Sequence, residues 1–251
     1  MHRGEIAAAL AQDHDEQRSH FTFQQLQSGV HDAELKRILA LRYEVYCLEC
    51  GFIPPGQCRD KLESDEFDAH SVHFSAHNLQ DEVVGSLRLV RSSPVKGFPF
   101  ERYCTSLHGD ITQPRAEECG EVSRLVVRRE YRRRMGDFLA GITDCADRRH
   151  RNADRSADRR SRGPQILLGL YREIYQYSVQ SGVRYLYAAM EKSLARALAR
   201  YEFIFTPIGL ETDYFGRVTP YMIDLRELEA RVGALNPVLM DWLREDLPSW
   251  H

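Results

Sequence analysis

The chain has 251 residues, enough for one large domain with a sizeable core, and its 43% hydrophobic and 28% charged content excludes a disordered or fibrous protein. A formal net charge of −3 argues against a general nucleic-acid binder, and no apolar stretch approaches membrane-spanning length. The sequence starts without the basic-then-apolar pattern of a secretory leader, and its six cysteines are scattered, so a cytoplasmic protein with reduced thiols is expected.

In chain order, residues 1–20 are polar and aperiodic and are read as a tail, and residues 21–251 as a single domain. Phe21–Gln27 is the first strand. Asp32 opens a helix with Leu35, Ile38, Leu39, Arg42, Val45 and Tyr46 on one stripe, which Gly51 ends before the loop Pro54-Pro55-Gly56. After the acidic stretch Glu63–Asp68, the alternating runs Ser71–His77 and Val83–Val90 form a hairpin across Asn78–Glu82. Residues 92–118 read as a long excursion with a short helix. Cys119–Val127 is a buried strand. Residues 144–162 are rich in arginine and hold no large apolar side chain, so they read as a basic insertion outside the core. A helix then carries Ile166, Leu167, Leu170, Tyr171, Ile174 and Tyr175 on one face until Gly182. A strand over Val183–Met190, a helix over Glu191–Arg200, strands over Phe203–Ile208 and Arg217–Leu225, and a last helix over 226–245 complete the domain. This order predicts a mixed α/β sheet.

The chemistry concentrates on Cys119-Gly-Glu-Val-Ser-Arg-Leu-Val-Val127. A buried strand holds a carboxylate and a guanidinium only at a cost. Period-two alternation puts Glu121 and Ser123 on one face and Arg124 on the other. The strand leads into five arginines within Arg128–Arg134 and then Gly136. Such an order suits an acyl thioester site. The acid takes a proton from an amine, strand N–H groups hold an oxyanion, and the basic turn holds phosphate. The alternative is a strand with an ordinary surface ion pair. Cys47-Leu-Glu-Cys50 has no second pair, and His70, His73 and His77 have no carboxylate placed beside them by any periodicity, so no metal site is expected.

Six short motifs, in this order, resemble the GNAT N-acyltransferases. They are Arg42-Tyr-Glu-Val-Tyr46 with Gly51-Phe52, Glu63-x-Asp65-x-x-Asp68, Gly85-x-x-Arg88-Leu-Val, Glu121-Val-Ser-Arg124-Leu, Ala189-Met-Glu191 and Gly216-Arg-x-x-Pro-Tyr221. Within that superfamily the pattern resembles acyl-homoserine-lactone synthases and N-acyl amino acid synthases. It is most similar to the acyltransferase group associated with PEP-CTERM/exosortase systems. The resemblance implies a mostly antiparallel twisted sheet flanked by helices, with the central strand splayed from its neighbour around a pantetheine arm. It implies transfer of a fatty acyl group from a phosphopantetheine thioester to an amine, with no permanently bound cofactor. Glu121, Ser123 and Arg124 are then the catalytic candidates. Arg42, Phe52, Asp65, Asp68 and Arg88 line the acceptor and acyl region, with Arg88 or Arg124 meeting an acceptor carboxylate. Val122, Val126, Arg132, Arg133, Arg134 and Gly136 contact the phosphopantetheine or its carrier protein.

Two departures refine this expectation. The lactone synthases carry a tryptophan soon after the position of Phe52, but this chain has Pro54-Pro55-Gly56 and no tryptophan before Trp242. An amino acid or similar amine therefore fits better as acceptor than a lactone-forming one. The superfamily's pyrophosphate loop has a second small residue, where this chain has Asp137-Phe138 after Gly136. Coenzyme A is poorly cradled there, whereas an acidic acyl carrier protein would be steered by the arginines. The alternatives are a non-enzymatic acyl- or carrier-protein-binding module on the same fold and an acyl-homoserine-lactone-type autoinducer synthase.

Overall fold

The computed structural model describes residues 20–27, 32–93, 97–108, 114–132, 163–245 and 247. The expected basic insertion at 144–162, and all of the expected tail except His20, lie outside the described residues.

The elements are β1 (Thr22–Gln27), α1 (Asp32–Tyr43) continued by a π-helical segment (Glu44–Glu49), β2 (Ser71–His77), β3 (Val83–Arg91), β4 (Cys119–Val127), α2 (Gly163–Ser181), β5 (Tyr185–Met190), α3 (Lys192–Ala199), β6 (Thr206–Pro207), β7 (Thr212–Asp213), β8 (Arg217–Asp224), α4 (Leu225–Leu235) and α5 (Pro237–Arg244). The sheet has eight strands in the order β1-β2-β3-β4-β5-β8-β6, with β7 pairing β8. Only β4 and β5 are parallel; the other pairs run antiparallel. This is the mixed, mostly antiparallel sheet flanked by helices that the motifs predict.

Alternation along β2 and β3 divides the sheet into two unlike faces. Val72, Phe74, Leu87 and Leu89 join Val122, Leu125 and Val127 in the main core against Ile166, Leu170, Tyr171 and Ile174 of α2. The opposite face carries buried polar residues, among them Ser71, His73, Ser75, Ser86, Arg88 and Glu121. α1 covers part of that face with Ile38, Leu41, Val45 and Tyr46, packed on Val83 and Val126. A third cluster of Phe67, Val90, Phe98, Phe100 and Cys119 closes the rest, with Tyr185 and Tyr187 packed against it. A sheet face that is polar yet covered must satisfy its charges internally, and this demand builds the site.

Two sequence expectations change. Phe203–Ile208 does not form a full strand, because only Thr206 and Pro207 pair with β8. Pro207 has no N–H to extend the ladder, and Phe203 and Phe205 turn into the main core instead. The last helix is two helices. Pro237 starts the second, and the side chain of Asn236 caps it by accepting from the Leu239 N–H at 3.1 Å. As predicted, Gly182 ends α2 in a left-handed conformation, with φ +74°.

α2 lies close over β3 because Gly85 has no side chain: a Cβ there would stand 2.6 Å from Cγ2 of Ile166. Ile166 is fully buried and has no room to retreat. Gly85→Ala is expected to cost about 1–3 kcal/mol by overpacking, read as a lower midpoint in urea unfolding.

Candidate active site

The centre of the site is a bulge in β4. Arg88 of β3 pairs with Ser123, but Ser86 pairs with Val126, so β4 has one residue more than its partner between these points. The extra residue is Arg124, whose φ is +52°. Its side chain therefore joins Ser123 on the polar face rather than pointing away, which corrects the face expected from simple alternation. Leu125 and Val127 return to the main core and Val126 to the α1 side. A left-handed non-glycine residue costs about 1–3 kcal/mol and persists where its surroundings over-determine it. Here the Arg124 guanidinium lies against the rings of Tyr46 and Phe215, 5.2 Å from each centroid.

Three arginines and three carboxylates meet beneath α1. Arg42, with no exposed surface, holds Glu63 and makes a second pair to Asp68 at 2.7 Å. Arg88 reaches Asp65 at 2.6 Å and Asp68 at 2.7 Å through one nitrogen, and its Nε donates to Ser123 Oγ at 3.1 Å. Arg124 bonds Glu63 through Nε at 3.2 Å and Asp65 through Nη2 at 2.9 Å. Backbone N–H groups complete the set: that of Asp65 donates to Asp68 at 2.7 Å and that of Phe67 to Asp65 at 2.9 Å. Burial alone would raise these carboxyl pKa values. The guanidinium charges outweigh it and hold Asp68 far below the usual carboxylate range, with Glu63 and Asp65 lowered as well.

Arg42, Asp65, Asp68, Arg88, Ser123 and Arg124 are therefore brought together as the motifs suggested, but mostly to hold one another. Ser123 accepts from Arg88, which gives it the geometry of an anchor. The sequence reading gave no role to Glu63, although Glu63 joins two of the three arginines. Its place in the Glu63-x-Asp65-x-x-Asp68 motif was the available signal. Tyr46, Tyr214 and Phe215 were likewise missed as ring partners. His73 faces Asp68, 3.9 Å away, and His77 lies 3.1 Å from Glu34, so carboxylates do stand beside them. Among the described residues no group of three or more His, Cys, Asp or Glu side chains is arranged to hold a metal.

Glu121 stands apart from this ion cluster. It is 1% exposed, and its Oε2 accepts from the Phe100 N–H at 2.9 Å. The rings of Phe98, Phe100 and Tyr187 pack together beside it, with Phe100 and Tyr187 centroids 5.1 Å apart. Burial pushes the Glu121 carboxyl up to about 8, against a smaller opposing effect of the Phe100 N–H and of Arg88 and Arg124. At neutral pH it is mostly the uncharged acid.

Glu121 also marks the place where the sheet opens. β4 and β5 pair at Cys119↔Tyr185, Gly120↔Leu186 and Glu121↔Tyr187. Beyond that the pairing stops, although β4 continues to Val127 and β5 to Met190. On its other side β5 stays paired with β8 as far as Met190↔Thr219. The two strands thus part immediately after Glu121, leaving a stretch of β4 backbone outside the β4–β5 ladder. The Val122 and Val126 side chains are committed to the cores on either side, so they can serve the opening only through their backbone.

A cavity of about 420 Å³ lies on the polar side, lined by Phe52, Ile53, Gln57, Cys58, Glu63, Asp65, Glu66, Pro99, Arg102, Tyr103, Arg124, Tyr214 and Phe215 among others. Phe52 packs against Tyr46 and Phe215, with centroids 6.1 and 6.0 Å away. Glu121 is not among the lining residues; it is bonded to the N–H of Phe100, the residue after the lining Pro99. Arg132 turns inward to pair with Glu49 rather than outward toward a carrier protein. Arg133, Arg134 and Gly136 lie outside the described residues.

Residues 41–140 match the acetyltransferase (GNAT) domain family. The fold is similar to that of BjaI, a CoA-dependent acyl-homoserine lactone synthase solved with SAM and isopentyl-CoA, at TM-score 0.61 and 18% identity over 91% of each chain. It is similar to TofI, solved in a ternary complex with an inhibitor and MTA, at TM-score 0.60 and 18% identity over 87% of this chain and 99% of that one. The AHL synthase LasI aligns at TM-score 0.56 and 17% identity over 83% of this chain and 91% of its own. No curated protein matches the sequence. The fold is that of GNAT-like acyltransferases, and residues 41–140 carry the matching acetyltransferase domain. Among the described residues no helix is long and apolar enough to cross a membrane.

Two outcomes test the energetics of the site. Arg42→Met leaves Glu63 and Asp68 each short of a cation in a dry environment, and is expected to cost about 3–5 kcal/mol in denaturant unfolding. For Glu121, the folded-state pKa of about 8 exceeds the ordinary value of 4.5, so the unfolded chain loses its proton first as pH rises. The wild type therefore loses stability progressively from about pH 5 to 8. Glu121→Gln escapes this loss, and its Tm advantage over wild type is expected to be larger at pH 8 than at pH 5.

Proposed function

We propose that the protein is an N-acyltransferase that moves a fatty acyl group from a phosphopantetheine thioester to the amine of an amino acid or similar acceptor. The observation that carries this reading is the position of Glu121: a buried carboxyl with a pKa near neutrality, at the last paired residue before β4 and β5 part. The thioester would enter along the parted strands and the acceptor from the 420 Å³ cavity. The amine nitrogen attacks the thioester carbonyl, the C–N bond forms, the C–S bond breaks and the thiolate leaves. Backbone N–H groups of β4 beyond Glu121 would hold the oxyanion. Glu121 accepts the amine proton through an intervening water or the hydroxyl of Tyr214, which lines the cavity beside Arg124.

One detail of acceptor recognition is proposed differently from the motif reading. Arg88 and Arg124 are already matched by internal carboxylates, whereas Arg102 lines the cavity, stacks on Phe67 at 4.6 Å and pairs with the half-exposed Glu66. Arg102 is therefore the better partner for an acceptor carboxylate. An acyl carrier protein remains the favoured donor, on the departure around Asp137 and on the arginines of Arg128–Arg134 other than the inward-paired Arg132. A cytoplasmic role beside an exosortase system, with a free or peptidic amine as acceptor, belongs to the same proposal.

Lipid mass spectrometry on cells expressing the wild type or Glu121→Gln tests the reading. The expected result is an N-acyl amine made by the wild type and reduced by about 100-fold or more in the variant. With purified enzyme, kcat/KM should rise with pH and level off above about 8, as Glu121 becomes a base. Equal product from both proteins would remove Glu121 from the mechanism, and a lipid bound without turnover by either would favour a binding module.

A further inference from the structure

The wall of the cavity contains a pair of thiols that the acyl-transfer chemistry does not use. Cys58 lines the cavity, on the loop between Gly51 and Leu62. Its sulfur lies 3.3 Å from that of Cys47, which is buried in the π-helical segment following α1. Cys47 is followed three residues later by Cys50, but it is Cys58, eleven positions along the chain, that its sulfur meets. A disulfide needs the two sulfurs at about 2.05 Å, so closing the bond brings them ~1.2 Å nearer than their present 3.3 Å contact.

We propose that Cys47 and Cys58 are a reversible disulfide site that pins the cavity-wall loop to the helix beside the ion cluster. The co-reactant is a small-molecule disulfide. The Cys58 thiolate attacks one of its sulfurs and expels one thiolate, leaving a mixed disulfide on Cys58. Cys47 then releases its proton to solvent and attacks the Cys58 sulfur, expelling the second thiolate. Two protein thiols are oxidised to one disulfide, and the reagent is reduced to two thiols.

The surroundings define the order of events. Cys58 is partly exposed and so is the residue a reagent meets first. Burial, with Cys58 and Glu63 nearby, pushes the Cys47 thiol up to about 12, so closure of the bond is the slow step and quickens as pH rises. The loop that would be pinned has Asp60 and Lys61 in left-handed conformations. Arg59 and Lys61 are exposed, which gives a protease two cleavage points within it. The same loop supplies Phe52, Ile53 and Gln57 to the cavity wall.

The test uses the full-length reduced protein treated with oxidised glutathione, then alkylated and mapped by mass spectrometry. Wild type and Cys50→Ser are expected to lose two thiols and yield a cross-linked Cys47–Cys58 peptide. Trypsin cleavage after Arg59 and Lys61 should slow at least fivefold. Tm should rise by about 5 °C, as expected for closing a short loop. Dithiothreitol should reverse all three effects, and Cys58→Ser should show none of them. A link through Cys50 or Cys145, a glutathione adduct that stays on Cys58, or cross-linking without slower cleavage would each overturn the proposal. Every readout is independent of acyl transfer, so the proposal stands or fails separately from the assigned reaction.

Discussion

The polar face of the sheet is covered, and the rest of the site follows from that constraint. Once α1 and the 63–68 loop lie over β2, β3 and β4, water is excluded from Arg42, Arg88 and Arg124, and each must find a carboxylate inside the protein. Glu63, Asp65 and Asp68 come from one short loop, and each serves two of the arginines. The cluster is neutral as a whole, three cations against three anions, so it adds little field of its own to the cavity. Its contribution is geometric: it fixes the loop, the end of α1 and the bulged strand relative to one another. That frame leaves Glu121 outside the ion network, where desolvation outweighs every neighbouring cation and keeps the acid near neutrality.

The contrast between Glu121 and Asp68 shows how one protein sets two carboxyls at opposite ends of the scale. Both are buried on the same side of the sheet. Asp68 touches two guanidinium groups directly, while Glu121 has one backbone N–H and an aromatic surround. Burial pushes both pKa values up, and direct contact with two guanidinium groups reverses the sign at Asp68. A group that exchanges protons near neutral pH is of use to amine chemistry, whereas one locked in its ionised form serves structure.

Much of this was legible in the sequence because it depends on period and on punctuation. The period-two runs at Ser71–His77 and Val83–Val90 defined the hairpin and its two faces, and Gly182 marked the end of α2. The face of Arg124 was not legible: a bulge inserted at a non-glycine position leaves no residue-type signal, and alternation alone gave the wrong side. Glu63 sat inside a quoted motif, yet its partners are 21 and 61 residues away, beyond any local pattern. The Asn236-Pro237 break was signalled by the proline but lost in a run of helix-forming residues. Phe203–Ile208 had strand-like composition, but its aromatics were needed in the core.

The short parallel ladder between β4 and β5 has a mechanical consequence. The sheet is two antiparallel blocks, β1 to β4 and β5 with β8 and β6, joined edge to edge through the pairs from Cys119↔Tyr185 to Glu121↔Tyr187. Beyond Glu121 the β4–β5 ladder has no further rung, and the blocks there are coupled by side-chain packing, which yields by small adjustments where a hydrogen-bonded rung must break. The line is thus the most compliant direction through an otherwise stiff sheet. A substituent pushed between the blocks does work chiefly against side-chain packing, and Glu121, on the last rung, is where that wedge comes to rest.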